Sequence, residues 1–319
     1  MSKKSKQERV ITPPVKYRSG SMNIHITSIT YDGVAANNRG ESLDSTIPLQ
    51  TLRRGQSTHT VVSAAARRNA LREHIGRTYP VNRSRIDHGG APAVSFADFP
   101  DPNKYADDYL FGYLVTVAGG GTVNTKDGKV KVDEVMPGIP SKRTSLLMTS
   151  PAVSVLPFAH DAILGQNPEQ RGAYQNTSTA GLTQAEAHYT AYMFHDRISG
   201  GDLDTASEDQ VAWVRAALVA LADHGGVGGN HSRALYDMTP ASVAVRITPR
   251  LTPQWDSLGW SSPTEFTGLA RATECGFGDE VIVGGELAAN VPNGMTAYPS
   301  VEAALMAALQ RALGEPVVG

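Results

Sequence analysis

The stretch Ser57-Thr58-His59-Thr60-Val61-Val62-Ser63-Ala64-Ala65-Ala66-Arg67-Arg68-Asn69-Ala70-Leu71-Arg72-Glu73 organises the chain around it. Its pattern predicts a helix from roughly Thr58 to Gly76. Val62, Ala66 and Ala70 recur at helical spacing and form a narrow apolar stripe, small enough for close packing on a sheet. Arg68 and Arg72 are four apart and share another face, while Arg67 lies about 100° round the axis. Two guanidinium groups one turn apart can grip successive phosphates with bidentate geometry. A solvated arginine face has the same spacing, and capping is the ordinary explanation of His59 and Ser63 near the helix start.

On the N-terminal side, Met22-Asn23-Ile24-His25-Ile26 alternates with period two and predicts a strand, with a parity shift at Ser28-Ile29 of the kind a bulge makes. A polar loop, Tyr31 to Ser57, joins it to the helix and carries Asn37-Asn38-Arg39-Gly40-Glu41 and Arg53-Arg54-Gly55. On the C-terminal side, a loop-rich stretch leads to a strand-like run from Tyr109 to Val117 and then Gly119-Gly120-Gly121. Lys126-Asp127-Gly128-Lys129 reads as a hairpin turn. Ser145 to Phe158 is a second strand region punctuated by Pro151 and Pro157, and Ala159 to Ala180 reads as a projecting polar loop. Tyr189 to Phe194 predicts an aromatic strand, with Tyr189, Tyr192 and Phe194 as core.

Ser207 and Gln210 form a capping box before a helix whose apolar side is Val211, Val214, Leu218 and Leu221, with Gly225 as its stop. Ser242 to Thr248 alternates as a strand, and Tyr298 to Leu313 is a final amphipathic helix. The order is strand, helix, insertion, strand, loop, strand, helix, strand. That is the βαββαβ order of a ferredoxin-like or RNA-recognition-motif α+β fold, carrying insertions that a minimal fold does not need.

Charge is distributed unevenly. The net value of −2 divides into 15 Lys/Arg against 6 Asp/Glu over residues 1–90, which is +9, and 14 against 25 over 91–319, which is −11. Such a chain can present one basic and one acidic face, which suits a polyanionic partner and head-to-tail association of copies. No apolar run approaches the length of a membrane span. The single cysteine, Cys275, permits no internal disulfide and fits a reducing cytoplasm. Residues 1–19, rich in lysine, read as a disordered tail. The nine histidines include no metal-binding pair of zincin spacing, and no Gly-x-Ser-x-Gly elbow is present, so neither a metal, a cofactor nor a hydrolase site is expected.

After the capped helix comes Gly225-Gly226-Val227-Gly228-Gly229-Asn230-His231-Ser232-Arg233. Glycines let a backbone approach a ligand and offer its N–H groups to phosphate oxygens. His231, Ser232 and Arg233 add donors. The run lies after a helix, unlike a nucleotide-binding P-loop, and a flexible connector remains the other reading.

The ordered set Asn37-Asn38-Arg39 before Gly40, the segment His59 to Glu73, Lys142-Arg143-Thr144-Ser145 with Ser150-Pro151, and Gly228 to Arg233 resembles the DevR-type CRISPR-associated autoregulator family. Its members are backbone subunits of Type I-B Cascade surveillance complexes in the RAMP superfamily. The resemblance implies an RNA-recognition-type palm at 20–76, 143–157 and 184–250, with fingers at 77–142 and a thumb hairpin at 158–183. Residues 251–319 would be a C-terminal extension of the palm.

It also implies a cytoplasmic protein without catalytic activity that polymerises as a helical filament along crRNA and presents it to target DNA beside other Cascade subunits. The RNA contacts it implies are Asn38, Arg39, Arg53, Arg54, His59, Ser63, Arg67, Arg68, Arg72, Lys142, Arg143, Gly228, Gly229, Asn230, His231, Ser232 and Arg233. Ala64 and Ala65 depart from the pattern, where a Ser or Gly and a Gln are usual. Two other functions stay open: a Type III-like backbone ribonuclease using Asp44, and a transcriptional autoregulator, although no helix-turn-helix is recognisable.

Overall fold

The computed structural model describes residues 21–35, 46–87, 92–115, 122–125, 128–131, 138, 140–166, 182–227 and 237–315. The N-terminal tail, Asn38, Arg39, Asp44, Gly119-Gly120-Gly121, Lys126-Asp127, residues 167–181 and Gly228 to Arg233 lie outside them.

The strands used below are, in chain order, β1 (Asn23–Thr30), β2 (Thr51–Arg54), β3 (Ser57–Val62), β4 (Leu147–Thr149), β5 (Ala152–Ser154), β6 (Asp161–Gln166), β7 (Leu182–Thr190), β8 (Tyr192–Ile198), β9 (Pro240–Thr248), β10 (Val281–Gly285) and β11 (Thr296–Tyr298). The helices used below are α1 (Ala64–Ile75), α2 (Ala106–Phe111), α3 (Glu208–Ala222), α4 (Thr267–Glu274) and α5 (Val301–Ala312). The main sheet has nine strands in the order β11-β10-β9-β1-β8-β5-β3-β2, with β4 also pairing β8. β1 runs antiparallel to both its neighbours, Ile26 facing Asp196 on one side and Val245 on the other. The expected α+β class is therefore what the chain adopts.

Why β1 lies at the centre is visible in its residues. Ile24 and Ile26 point to a layer of helices, joining Ile198, Val245 and Ile247 from the sheet with Leu71 of α1, Leu110 of α2, Leu218 of α3 and Leu305 of α5. His25, Thr27 and Ile29 point the other way, yet all eight residues of the strand are buried. The second face is closed by the chain after β9. Trp255 Nε1 donates to Thr27 Oγ1 at 3.1 Å, and Trp260, Phe266 and Leu269 pack with Ile29, Met193 and Ala244. Arg246, 2% exposed, holds this cover: it donates to Pro253 O at 2.7 Å and Glu280 Oε2 at 2.7 Å, and stacks 3.5 Å from the Phe277 ring centroid. The register irregularity falls between Ile29 and Thr30, and Ile29 keeps the parity of His25 and Thr27. Burial on both faces explains the apparent parity shift at Ser28-Ile29.

Helix α3 forms as its cap predicts: Gln210 N donates to Ser207 Oγ at 3.3 Å, and Ser207 N donates back to Gln210 Oε1 at 3.0 Å. Its inner side, Val214, Ala217, Leu218 and Leu221, is buried, and truncating Leu218 to Ala would cost about 2–5 kcal/mol. The helix gives way at Asp223, two residues before the expected Gly225.

Three sequence expectations change. The first helix starts at Ala64, not Thr58, because the alternation from Ser57 to Val62, rich in β-branched residues, makes strand β3, hairpinned to β2 at Gly55 (φ 62°). Tyr109 lies in helix α2, so the expected strand shrinks to Tyr113–Leu114. Gly112 (φ 66°) makes the break, and a Cβ there would come within 2.3 Å of Arg143 O. Residues 161–166, expected as loop, pair with β7 in six register positions. The hairpin expected around Asp127-Gly128 is present as Thr122–Thr125 against Gly128–Lys131.

Candidate nucleic-acid interface

The described residues that flank the segments singled out in sequence lie together. A small buried cluster comprises Ala35, Val62, Ala70, Ala152, Tyr192, Phe194, Val227 and Met238, with Ala66 packed against it. Ala35 is the last described residue before the segment containing Asn38 and Arg39. Val62 and Ala70 flank the cap and middle of α1. Val227 and Met238 stand on either side of the Gly228 to Arg233 run. The small stripe read in the sequence, Val62, Ala66 and Ala70, thus packs with the residues that flank these segments.

Beside the cluster, β7 pairs at its base with Gly33–Ala35, Tyr189 facing Val34, and runs parallel to Thr46–Ile47. The described residues on both sides of 36–45 therefore pair with β7. His59, His188 and Tyr192 line the inner side: Thr60 Oγ1 lies 2.8 Å from His188 Nδ1, and His59 Nδ1 lies 2.8 Å from Ser154 O. Burial lowers His188 and raises the Tyr192 phenol to about 12. At neutral pH His188 and Tyr192 are therefore uncharged hydrogen-bonding posts beside β7.

The helix that was expected to grip phosphate divides its arginines differently. Arg67 is 0% exposed. Its Nη2 donates to Asp196 Oδ2 at 2.6 Å, Nη1 to Ser150 O at 2.8 Å and Nε to His224 Nε2 at 3.3 Å, and its guanidinium lies 3.8 Å from the Phe194 ring centroid. Arg72, 7% exposed, donates from Nε to Asp107 Oδ2 at 3.1 Å and sits over Phe111. Desolvation lowers its guanidinium from the usual value, against the opposing pull of Asp107. The expectation that Arg68 and Arg72 act as a pair on phosphate is corrected: Arg67 reaches Asp196 of β8 and Arg72 reaches Asp107 of α2, both carboxylates of the core. Arg68 is half-buried and pairs with no carboxylate among the described residues.

Other expected contacts fall as follows. Ser63 is the cap of α1, its Oγ accepting from Ala66 N at 3.1 Å. His59 is buried and turned to Ser154, so its expected contact with RNA is also corrected. Arg53 and Arg54 are exposed on β2, at the edge of the sheet. Arg54 is 3.7 Å from Asp256, a surface pair of small energetic weight. Lys142 is exposed, while Arg143 donates to Asp202 Oδ1 at 3.3 Å and lies over the Tyr109 ring. Asn38, Arg39 and Gly228 to Arg233 are outside the described residues.

Tyr189, read as core, is 63% exposed, beside the partly exposed Val34. Alternation could not have shown this, since Ala185 and Ala187 share its parity and are buried. RNA-recognition motifs stack bases on aromatics of an open sheet face; among the described residues, the face of this sheet away from the helices is covered. Its residues include His25, Thr27 and Arg246, all beneath the cover described above. Among the described residues no cluster of three metal-ligating side chains occurs, and no helix is long and apolar enough to cross a membrane.

A CRISPR-associated protein Cas7/Cst2/DevR of Myxococcus xanthus strain DK1622 is 29% identical over 314 residues, covering 91% of this chain and 98% of the relative. The chain is thus similar to a Cas7/Cst2/DevR protein over nearly its whole length, where the sequence reading rested on scattered motifs. Two solved structures share the fold. A chain of a CRISPR RNA-guided surveillance complex in a pre-nicking state aligns with a TM-score of 0.55 at 11% identity, covering 91% of this chain and 100% of the other. A chain of a second CRISPR RNA-guided surveillance complex gives 0.53 at 13% identity, covering 91% and 99%. No family model matches the chain.

Proposed function

We propose that this chain is the crRNA-binding backbone subunit of a Type I, I-B-like Cascade complex, without catalytic activity of its own. Copies would associate head to tail along the guide, beside other Cascade subunits, and present it for pairing with target DNA. The observation that carries this reading is one buried cluster shared by Ala35, by Val62 and Ala70 at helix α1, and by Val227 and Met238, the residues that flank the segments singled out in sequence. Similarity to a Cas7/Cst2/DevR protein supports the same assignment.

In this reading β1, α1, β4 with β5, β8, α3 and β9 form an RNA-recognition-type palm. The support is their sheet order, β9-β1-β8-β5, in which the last strand of the βαββαβ unit lies beside the first and the third lies between the first and second. The hairpin β6–β7 would be the thumb and the insertion between α1 and β4 the fingers. Phosphate contacts give affinity without sequence preference, and base pairing supplies specificity. A covered sheet face suits that division, since no strand surface competes for the bases.

The test is co-expression with a repeat–spacer transcript. The purified protein should carry RNA, read as excess absorbance at 260 nm, and Arg53→Ala with Arg68→Ala and Lys142→Ala should lose it at moderate salt. RNA-free wild-type protein would overturn the reading. Metal-dependent periodic cleavage of a complementary RNA, abolished in Asp44→Ala, would replace it with a ribonuclease.

A further inference from the structure

We infer that Arg67 positions the RNA-binding segments without touching RNA, acting as a buried clamp between helix α1, strand β8 and the end of α3 from which the glycine run departs. The inference rests on the RNA-binding reading above and deepens it.

One side chain joins four parts of the fold. Asp196 belongs to β8 and Ser150 to the junction of β4 and β5. His224 follows α3 directly, three residues before Val227, and the Phe194 ring lies beneath the guanidinium. Ser150 is itself fixed to β8, its N donating to His195 O at 2.9 Å and its Oγ accepting from His195 N at 2.9 Å. His224 is 1% exposed, and burial together with the Arg67 charge holds its imidazole well below the usual range. It therefore accepts through Nε2 as a neutral ring, which leaves its Nδ1 hydrogen without a partner among the described residues. Such an arrangement is costly as a stability device: Asp196 and Arg67 are both fully withdrawn from water, and an apolar pair of similar volume would often serve as well. What an apolar pair lacks is the fork of directed bonds that fixes where α1 and the start of the glycine run sit relative to β8.

The test uses the full chain and a fluorescein-labelled single-stranded RNA titrated over a range of salt. Arg67→Met with Asp196→Leu removes both charges while keeping the site filled, so that the fold survives the loss of the fork. Binding should weaken about tenfold, the size of effect expected from a coupling residue, with the slope of log Kd against log salt unchanged. A slope reduced by about 0.7, one phosphate contact on a single strand, would show that Arg67 touches RNA. Unchanged affinity would show that the clamp is structural only. Either result overturns the inference, whereas failure of the wild type to bind RNA would overturn the functional reading instead.

Arginine-selective labelling of the wild type supplies a check that needs no variant. Arg68 should react and be protected by RNA, while Arg67 stays unreactive with or without it. Reaction of Arg67 that RNA suppresses would again refute the clamp.

Discussion

Substituting Arg68 and Arg72 one at a time should separate surface from core on a single helix. Arg72→Ala removes the partner of a carboxylate that is 0% exposed. Breaking a buried pair costs about 3–5 kcal/mol. Asp107 keeps two backbone donors, Asn82 N at 2.7 Å and Arg83 N at 3.0 Å, so the loss belongs at the lower end, about 3 kcal/mol. At about 2 °C per kcal/mol for a chain of this size, the melting temperature should fall by about 6 °C. Arg68→Ala, half-buried and without an ion pair among the described residues, should stay within about 0.5 kcal/mol of wild type. For RNA binding the order reverses. Arg68→Ala should lower the salt slope by about 0.7, and folded Arg72→Ala should leave it unchanged. Differential scanning fluorimetry and anisotropy titrations read both quantities. An Arg72→Ala melt within about 1 °C of wild type, or a salt slope altered by that variant alone, would refute this division of the helix.

The stacked pair His25 and His195, ring centroids 5.5 Å apart, predicts a pH dependence. Burial lowers both to about 4. The unfolded chain therefore binds protons first as pH falls, and stability present above about pH 6.5 should be lost progressively down to about pH 4. Urea midpoints should show this loss in wild type and less of it in His25→Asn with His195→Asn; equal losses would sink the prediction. Arg246→Leu removes the charged hub of the cover over the sheet, so limited proteolysis should cut faster between 250 and 280, and an unchanged pattern would show that the cover does not depend on it. Gly112→Ala should lose soluble yield, because Arg143 O lies 2.3 Å from the added methyl; a variant as soluble and stable as wild type would mean that this turn yields easily.

What the sequence made legible was local. The reciprocal Ser207 and Gln210 cap announced α3, and the β1 and β9 alternations announced two central strands. The order of elements announced the α+β class. The start of α1 was misplaced because Val62, Ala66 and Ala70 keep helical spacing across Ser63, where the chain in fact changes from strand to helix; only pairing with β2 and β5 decides that. The fate of the arginines was not legible either. Arg67, Arg68 and Arg72 differ by what faces them, and Asp196 and Asp107 lie 129 and 35 residues away. Spacing on a helix ranks side chains by direction and says nothing about a carboxylate brought in from elsewhere.

The lid of Trp255, Trp260 and α4 over the central strands has a consequence for how the protein can change. On an open sheet, each outward side chain can drift toward a preference for one nucleobase. Here those positions are committed to internal packing, and a mutation among them damages folding before it can teach the protein a favourite letter.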